Sequence, residues 1–140
     1  MKITICASLK FIKEINEIKS VLEKRGHIIL VPLSAEINQD KKYWNQLKSE
    51  DIKKFADMKG ERMRGHFDKI KSSDAILVLN YDKNGKRNYI GPNTFIEIGI
   101  AFEHDKKIFI LNELLENDPN HEELVSMSPV CLNGNLNYIK

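Results

Sequence analysis

The chain has 140 residues, 30 % charged and 41 % hydrophobic, the proportions of an ordinary soluble globular domain and enough length for one domain, residues 1–140, with a proper core. With 22 Lys and Arg against 20 Asp and Glu the net charge is +2, which gives no electrostatic case for a nucleic-acid polymer as partner. No apolar run approaches the roughly 18 residues that a membrane span needs, and the apolar part of MKITICASLKF is too short for a signal peptide.

In chain order, Lys2 to Ala7 is an apolar run of strand length. Phe11, Ile12, Ile15, Ile18, Val21 and Leu22 then fall on one helix face, which Arg25-Gly26 closes. His27 to Val31 is a second strand, ended by Pro32. Strand, helix and strand within about 30 residues make a parallel βαβ unit. Ser34 to Asn45 is polar and irregular, with Tyr43 and Trp44 adjacent; it reads as a surface loop or as a lid over a site. Lys48 to Lys71 has helical spacing (Ile52, Phe55, Met58, Met63, Phe67, Ile70), with Gly60 and Gly65 as candidate breaks. Its basic residues describe a solvated face, or phosphate contacts from Arg62, Arg64 and His66. Ala75 to Asn80 (AILVLN) is the third and most apolar strand, and Tyr81 to Gly91 is the loop after it, with a turn at Asn84-Gly85. Lys107 to Asn112 is a fourth strand, His121 to Met127 a short helix, and Val130 to Leu132 a fifth strand. Cys6 and Cys131 lie in apolar, strand-like stretches and read as buried free thiols of a reducing cytoplasm.

Between the third and fourth strands lies NYIGPNTFIEIGIAF, Asn88 to Phe102. It is a glycine-containing turn followed by a helix that is apolar nearly all round and carries one charge, Glu97. Such a helix is buried, and a lone carboxylate in it needs a partner or a purpose, because an unpaired buried charge is costly. Thr94-x-x-Glu97 fits a capping box, with Glu97 in the first helical turn. A catalytic carboxylate at the mouth of a cleft is the other reading.

The alternation of strands and helices gives an α/β fold, a three-layer Rossmann/flavodoxin-like sandwich with a five-stranded parallel sheet in the order 2-1-3-4-5. Ligands of such sheets bind beyond the carboxyl ends of the strands, where the order reverses. That crevice lies between Ala7–Lys10 and Asn80–Gly91, and the Glu97 helix opens onto it. Ser8 and Lys10 from the first loop, and Asn80, Asn88, Gly91, Asn93 and Thr94 from the second side, are the candidate substrate-binding residues. Lys86 and Arg87 form the basic pair near the crevice, as phosphate contacts or as a solvated turn. Asp74 begins the third strand and belongs to the far end of the sheet. The four histidines are scattered and the two cysteines have no CxxC partner. Neither GxGxxG nor a P-loop occurs, so neither a metal nor a cofactor is indicated.

CAS near the N-terminus, SDAILVLN, a loop, GPNTFIEIGIAF and then KKIFIL together resemble the nucleoside 2-deoxyribosyltransferase superfamily, which includes the 2′-deoxynucleoside 5′-phosphate N-hydrolases. The resemblance runs from Ile3 to about Val130. Its most specific part is Glu97-Ile98-Gly99-Ile100-Ala101. It implies cleavage or transfer of the N-glycosidic bond of a nucleoside or nucleoside 5′-monophosphate, with Glu97 as the nucleophile on C1′. Asp74 matches an aspartate that assists at the sugar or base. Ser126 resembles a serine lent to a neighbour's site, which implies a homodimer or higher homo-oligomer. Two positions depart from the family: the first-strand tyrosine that orients the glutamate is replaced by Thr4 or Ile5, and the loop glycine is Ala7. A non-catalytic nucleotide-binding module on the same fold is the alternative.

Overall fold

A computed structural model describes all 140 residues. Five strands, β1 (Lys2–Cys6), β2 (Ile28–Leu30), β3 (Ala75–Val78), β4 (Lys107–Ile110) and β5 (Val130–Cys131), form one parallel sheet in the order β2-β1-β3-β4-β5. This is the order expected from the sequence. Cys6, Val78, Ile110 and Cys131 lie side by side across four strands.

Six helices accompany the sheet: α1 (Ile12–Glu23), α2 (Leu33–Glu36), α3 (Lys41–Glu50), α4 (Ile52–Lys71), α5 (Pro92–Glu103) and α6 (His121–Ser126). Side chains alternate across a strand, and that alternation divides the core in two. Ile3, Ile5, Leu77 and Phe109 pack with Ile12, Ile15 and Leu22 of α1 on one face. Cys6, Ile76, Val78, Ile108 and Ile110 pack with Ile70 of α4 and with Ile98 and Ala101 of α5 on the other. Cys6 is therefore directed to the α4–α5 side by its register alone.

Three local expectations are corrected. Residues 34–45 are not irregular: they carry the short helix α2 and the start of α3, whose N-cap Asp40 accepts the N–H of Tyr43 at 3.2 Å. The helix expected from Lys48 begins instead at Ile52, because Asp51 is extended (φ −152°) and caps α4 by accepting the N–H of Lys54 at 3.0 Å. Gly60 and Gly65 do not interrupt α4, which runs unbroken for 20 residues. The loss of helix propensity at each glycine, about 1 kcal/mol, is outweighed by packing of this helix against α3, α5 and β1.

α5 starts at Gly91 as N-cap with Pro92 in the first helical position, where its missing N–H costs nothing. Thr94 is therefore not the N-cap, and no capping box forms. Glu97 sits in the second turn, buried. The helix is also not enclosed on every side, since Ile96 and Phe102 are 45 % and 51 % exposed.

Asn80, fully buried at the end of β3, bonds across to Asn112: its Nδ2 donates to the Asn112 carbonyl at 3.0 Å and its Oδ1 accepts the Asn112 N–H at 2.8 Å. These bonds continue the β3–β4 ladder by one side chain. Asn80→Ala leaves a buried N–H and a buried C=O short of partners, so unfolding free energy should fall by about 1–3 kcal/mol in urea titration. A ligand-binding role for Asn80 instead predicts unchanged stability with weakened binding.

Candidate active site

A cavity of about 290 Å³ opens at the carboxyl ends of the strands, at the small end of the range for ligand pockets. Ala7–Leu9 after β1 and Pro32–Ser34 after β2 form one wall. Lys41 and Trp44 of α3 and Lys59, Arg62, Met63 and His66 of α4 form the second. Lys83 and Tyr89 of the loop after β3, with Gly91–Thr94 and Glu97 of α5, close the third. A Cβ at Gly91 would lie 3.2 Å from the Tyr89 ring and hydroxyl, so a larger residue there would press on Tyr89.

The floor is made where β1, α4 and α5 meet. Glu97 Oε2 lies 3.4 Å from His66 Nε2, and the same nitrogen is 3.7 Å from Cys6 Sγ. All three residues are buried. Burial lifts the Glu97 carboxyl from its usual 4.5 to about 8, with Lys59 pulling the other way. Burial, then the charge of Lys69, lowers the His66 imidazole to about 4. Burial and the nearby Glu97 push the Cys6 thiol well above its ordinary value. At neutral pH the floor is thus a carboxylic acid, a neutral imidazole and a thiol, and the Glu97–His66 contact is a neutral one. His66 Nδ1 is buried with no hydrogen-bond partner.

The sequence suggested no metal cluster, yet Cys6, His66 and Glu97 bring donor atoms within 4.8 Å of one another. A cation there must displace protons from two groups that burial holds in their neutral forms, which weakens binding at neutral pH. The trio is better suited to sharing a proton.

The rim has the opposite character. Lys41, Lys59, Arg62 and Lys83 line the cavity against a single acidic residue, Glu97. Arg62 is held by Ser34 Oγ at 3.0 Å and Gln39 Oε1 at 2.7 Å, and it stacks on the Trp44 ring. The three lysines have no carboxylate within ion-pair distance. Burial and then repulsion from Lys41 lower the amines of both Lys59 and Lys83. Lys83 Nζ donates to Ser8 Oγ at 2.9 Å. Asn93 Oδ1 is buried without a partner.

Of the residues suggested by the sequence, Glu97, Ser8, Gly91, Asn93 and Thr94 meet at this cavity. The others do not line it. Asp74 is at the amino end of β3, the opposite edge of the sheet, where its carboxylate accepts the Lys2 N–H at 2.8 Å. Asn80 is locked into the β3–β4 junction. Asn88 donates to the Glu113 carbonyl and to Asp82. Lys10 is exposed, its N–H bonded to Ser8 Oγ at 3.3 Å. Lys86 and Arg87 lie on the far side of Tyr89 around a second hollow, and Arg87 pairs with Glu113 at 3.3 Å. Ser126, exposed on α6, donates to the Glu122 carbonyl at 2.6 Å. Sequence reasoning missed Cys6, Lys41, Lys59, Lys83 and Tyr89, and gave His66 a phosphate role that its place on the floor does not fit. Lys59, Arg62, Met63 and His66 do stand at helical i, i+3, i+4, i+7 spacing, a signal that marks one face of α4.

Two solved structures share this fold. The CMP N-glycosidase BcmB of Clostridium botulinum superposes with a TM-score of 0.53 at 20 % identity, over 95 % of this chain and 90 % of that one. A 2-deoxyribosyltransferase of Bacillus psychrosaccharolyticus superposes with a TM-score of 0.54 at 16 % identity, over 94 % and 98 %. No protein-family model and no curated protein matches the sequence. Both of these neighbours belong to the nucleoside 2-deoxyribosyltransferase superfamily, and at such identities the likeness is one of fold.

The pH response of stability follows from Glu97. Its folded-state value lies above the unfolded one, so the native state holds the proton more tightly. The stability this gives is complete below about 4.5 and is lost as pH rises through about 8. Glu97→Gln cannot titrate. It should therefore melt above the wild type at pH 8, with the difference shrinking towards pH 5; scanning calorimetry across that range measures it.

Proposed function

We propose that the chain cleaves or transfers the N-glycosidic bond of a nucleoside 5′-monophosphate, with Glu97 as the nucleophile. The single observation that carries this is the one acidic side chain of the cavity, set on its floor beneath a rim of unpaired lysines. A carboxylate nucleophile divides one difficult displacement at C1′ into two easier ones through a glycosyl ester. The rim suits an anionic group at the other end of the same ligand, because amines crowded against one another gain from a shared phosphate. Lys83 with Ser8 and Lys41 from across the cavity are the phosphate contacts in this reading, in place of Lys86 and Arg87. Tyr89 offers an aromatic ring to a base, and the unpartnered Asn93 oxygen accepts from a hydroxyl or amino group. The names of the two fold neighbours, a CMP N-glycosidase and a 2-deoxyribosyltransferase, support bond cleavage or transfer of this kind.

A second reading, a nucleotide-binding module without catalysis, is favoured by one fact: the Glu97 carboxyl is held protonated in the empty cavity. Base release separates the two. Incubated with a panel of nucleosides and their 5′-monophosphates, the wild type should free the base from monophosphates, and Glu97→Ala should lose roughly 10³-fold or more of that rate while staying folded. Tight monophosphate binding with no base released establishes the module instead. Lys41→Ala/Lys83→Ala should raise KM for the monophosphate about 10- to 100-fold, as expected for lost charge-assisted hydrogen bonds, and leave the free nucleoside unchanged. Equal effects on both ligands remove these lysines from the phosphate role.

Assembly belongs to the same proposal. Ile96 and Phe102 on α5, Val125 on α6 and Val130 on β5 are exposed apolar side chains. A two-fold contact, the commonest symmetry of homo-oligomers, would cover them and bring Ser126 near a neighbour's cavity. Light scattering should report a dimer. A fully active monomer would rule out a shared site.

A further inference from the structure

Glu97 has one basic group in ion-pair contact, and it is His66. Both side chains are buried, and both line the cavity. The groups that act on the pair come from three elements: Cys6 and the Ile5 backbone from β1, Lys59 and Lys69 from α4, and Glu97 itself from α5. Cys6 stays a thiol and does not compete for a proton. The lysines carry theirs already. The reaction proposed above places two demands on one proton. Glu97 must lose it to attack C1′, and the departing base must gain one.

Resting on that reading, we infer that His66 is the proton carrier of the reaction, taking the proton from Glu97 before attack and delivering it to the leaving base. The steps balance as follows. The Glu97 carboxyl gives its proton to His66 Nε2, leaving a carboxylate and an imidazolium. The carboxylate forms a bond to C1′ while the C1′–N bond breaks and its electron pair passes to the base. The imidazolium protonates the base, which leaves neutral, with a glycosyl ester on Glu97 and a neutral imidazole. In the second half, water or an acceptor base attacks C1′ and loses a proton to His66. The ester C–O bond breaks, and the returning carboxylate recovers its proton from the imidazolium. The base leaves with the proton of Glu97, the incoming water or acceptor replaces it, and no cofactor or outside acid is needed.

The contact geometry allows such an exchange, although burial favours the neutral pair. His66 Nδ1 has no well-aligned partner, and the Ile5 backbone beside the ring favours the charged form against burial and Lys69. The neutral pair and the ion pair differ only in the position of one proton across a 3.4 Å contact. The lysine charge that opposes an imidazolium is that of Lys69, which is bonded to the Val31 carbonyl and Glu36 away from the cavity lining.

The pH profile decides between this carrier and a Glu97 that works alone. If Glu97 simply ionised to solvent, kcat would rise with pH through about 8. With His66 as carrier the sign is reversed: the active form needs the shared proton, so kcat should be level near neutrality and fall as that proton is lost above about 8. The experiment measures kcat and KM from pH 5 to 10 on the monophosphate that the wild type cleaves fastest, for the wild type and for His66→Gln, which keeps a polar side chain but carries no proton. His66→Gln should lower kcat by about 10²- to 10⁴-fold, the usual worth of a general acid or base, with KM little changed and the alkaline decline gone. His66→Ala guards against misfolding of the first variant: added imidazole should restore its rate, and pyrazole, similar in shape but far less basic, should not. Unchanged kcat in His66→Gln, an alkaline rise in the wild type, or equal rescue by pyrazole overturns the assignment. These outcomes touch His66 alone, whereas a wild type that releases no base overturns the glycosidase reading instead.

Discussion

The contact between Glu97 and His66 is the constraint around which the rest is arranged. Neither group can be buried as an isolated ion, since an unpaired charge in a protein interior costs several kcal/mol. Burial is tolerable when both are neutral or when they share one proton. Three elements must meet at one point for this to happen. β1 contributes Cys6 because strand alternation sends it to the α4–α5 face. α4 contributes His66 because the helix stays continuous through two glycines. α5 contributes Glu97 because Gly91 and Pro92 set where the helix starts, and hence which residues of its second turn point inward. Shifting any one of these by a residue would leave a buried polar group without its neighbour.

The floor and the rim are electrostatically unlike, and Lys59 links them. Burial and the repulsion of Lys41 lower its amine, while Glu97 raises it. Burial is the largest of these effects. An anion seated between Lys59 and Lys83 would favour the charged form of both amines.

Much of the architecture was legible in the sequence, because it follows from local pattern. Apolar strand runs alternating with helical spacing gave the parallel sheet and its order, and a solitary charge in an apolar helix gave Glu97. The failures have identifiable physical causes. Asp51 breaks a helical pattern that spacing alone ran together, since an extended capping residue leaves hydrophobic periodicity almost intact. Asp74 stood in a family-like strand motif, yet parallel strands send their first residues to the edge opposite the crevice. Asn80 lay at the correct edge, but its side chain is used by the sheet. Cys6, His66 and Glu97 are separated by 60 and 31 residues, so only the fold could bring them together. The lysines of the rim were hidden by their number: among 22 basic residues, nothing local marks the few that face inward.

The position of Glu97 also settles which force has to set its charge. A carboxylate in the first turn would draw on the helix N-terminus, an effect of about 0.3–1 kcal/mol that falls off within that turn. Glu97 lies in the second turn, beyond most of that help. Burial acts in the other direction and is larger: moving a carboxyl from 4.5 to about 8, at about 1.4 kcal/mol for each pH unit, amounts to several kcal/mol. The helix dipole therefore does not set the charge of this side chain. If Glu97 attacks C1′, the imidazole in contact with it is the group placed to take its proton first.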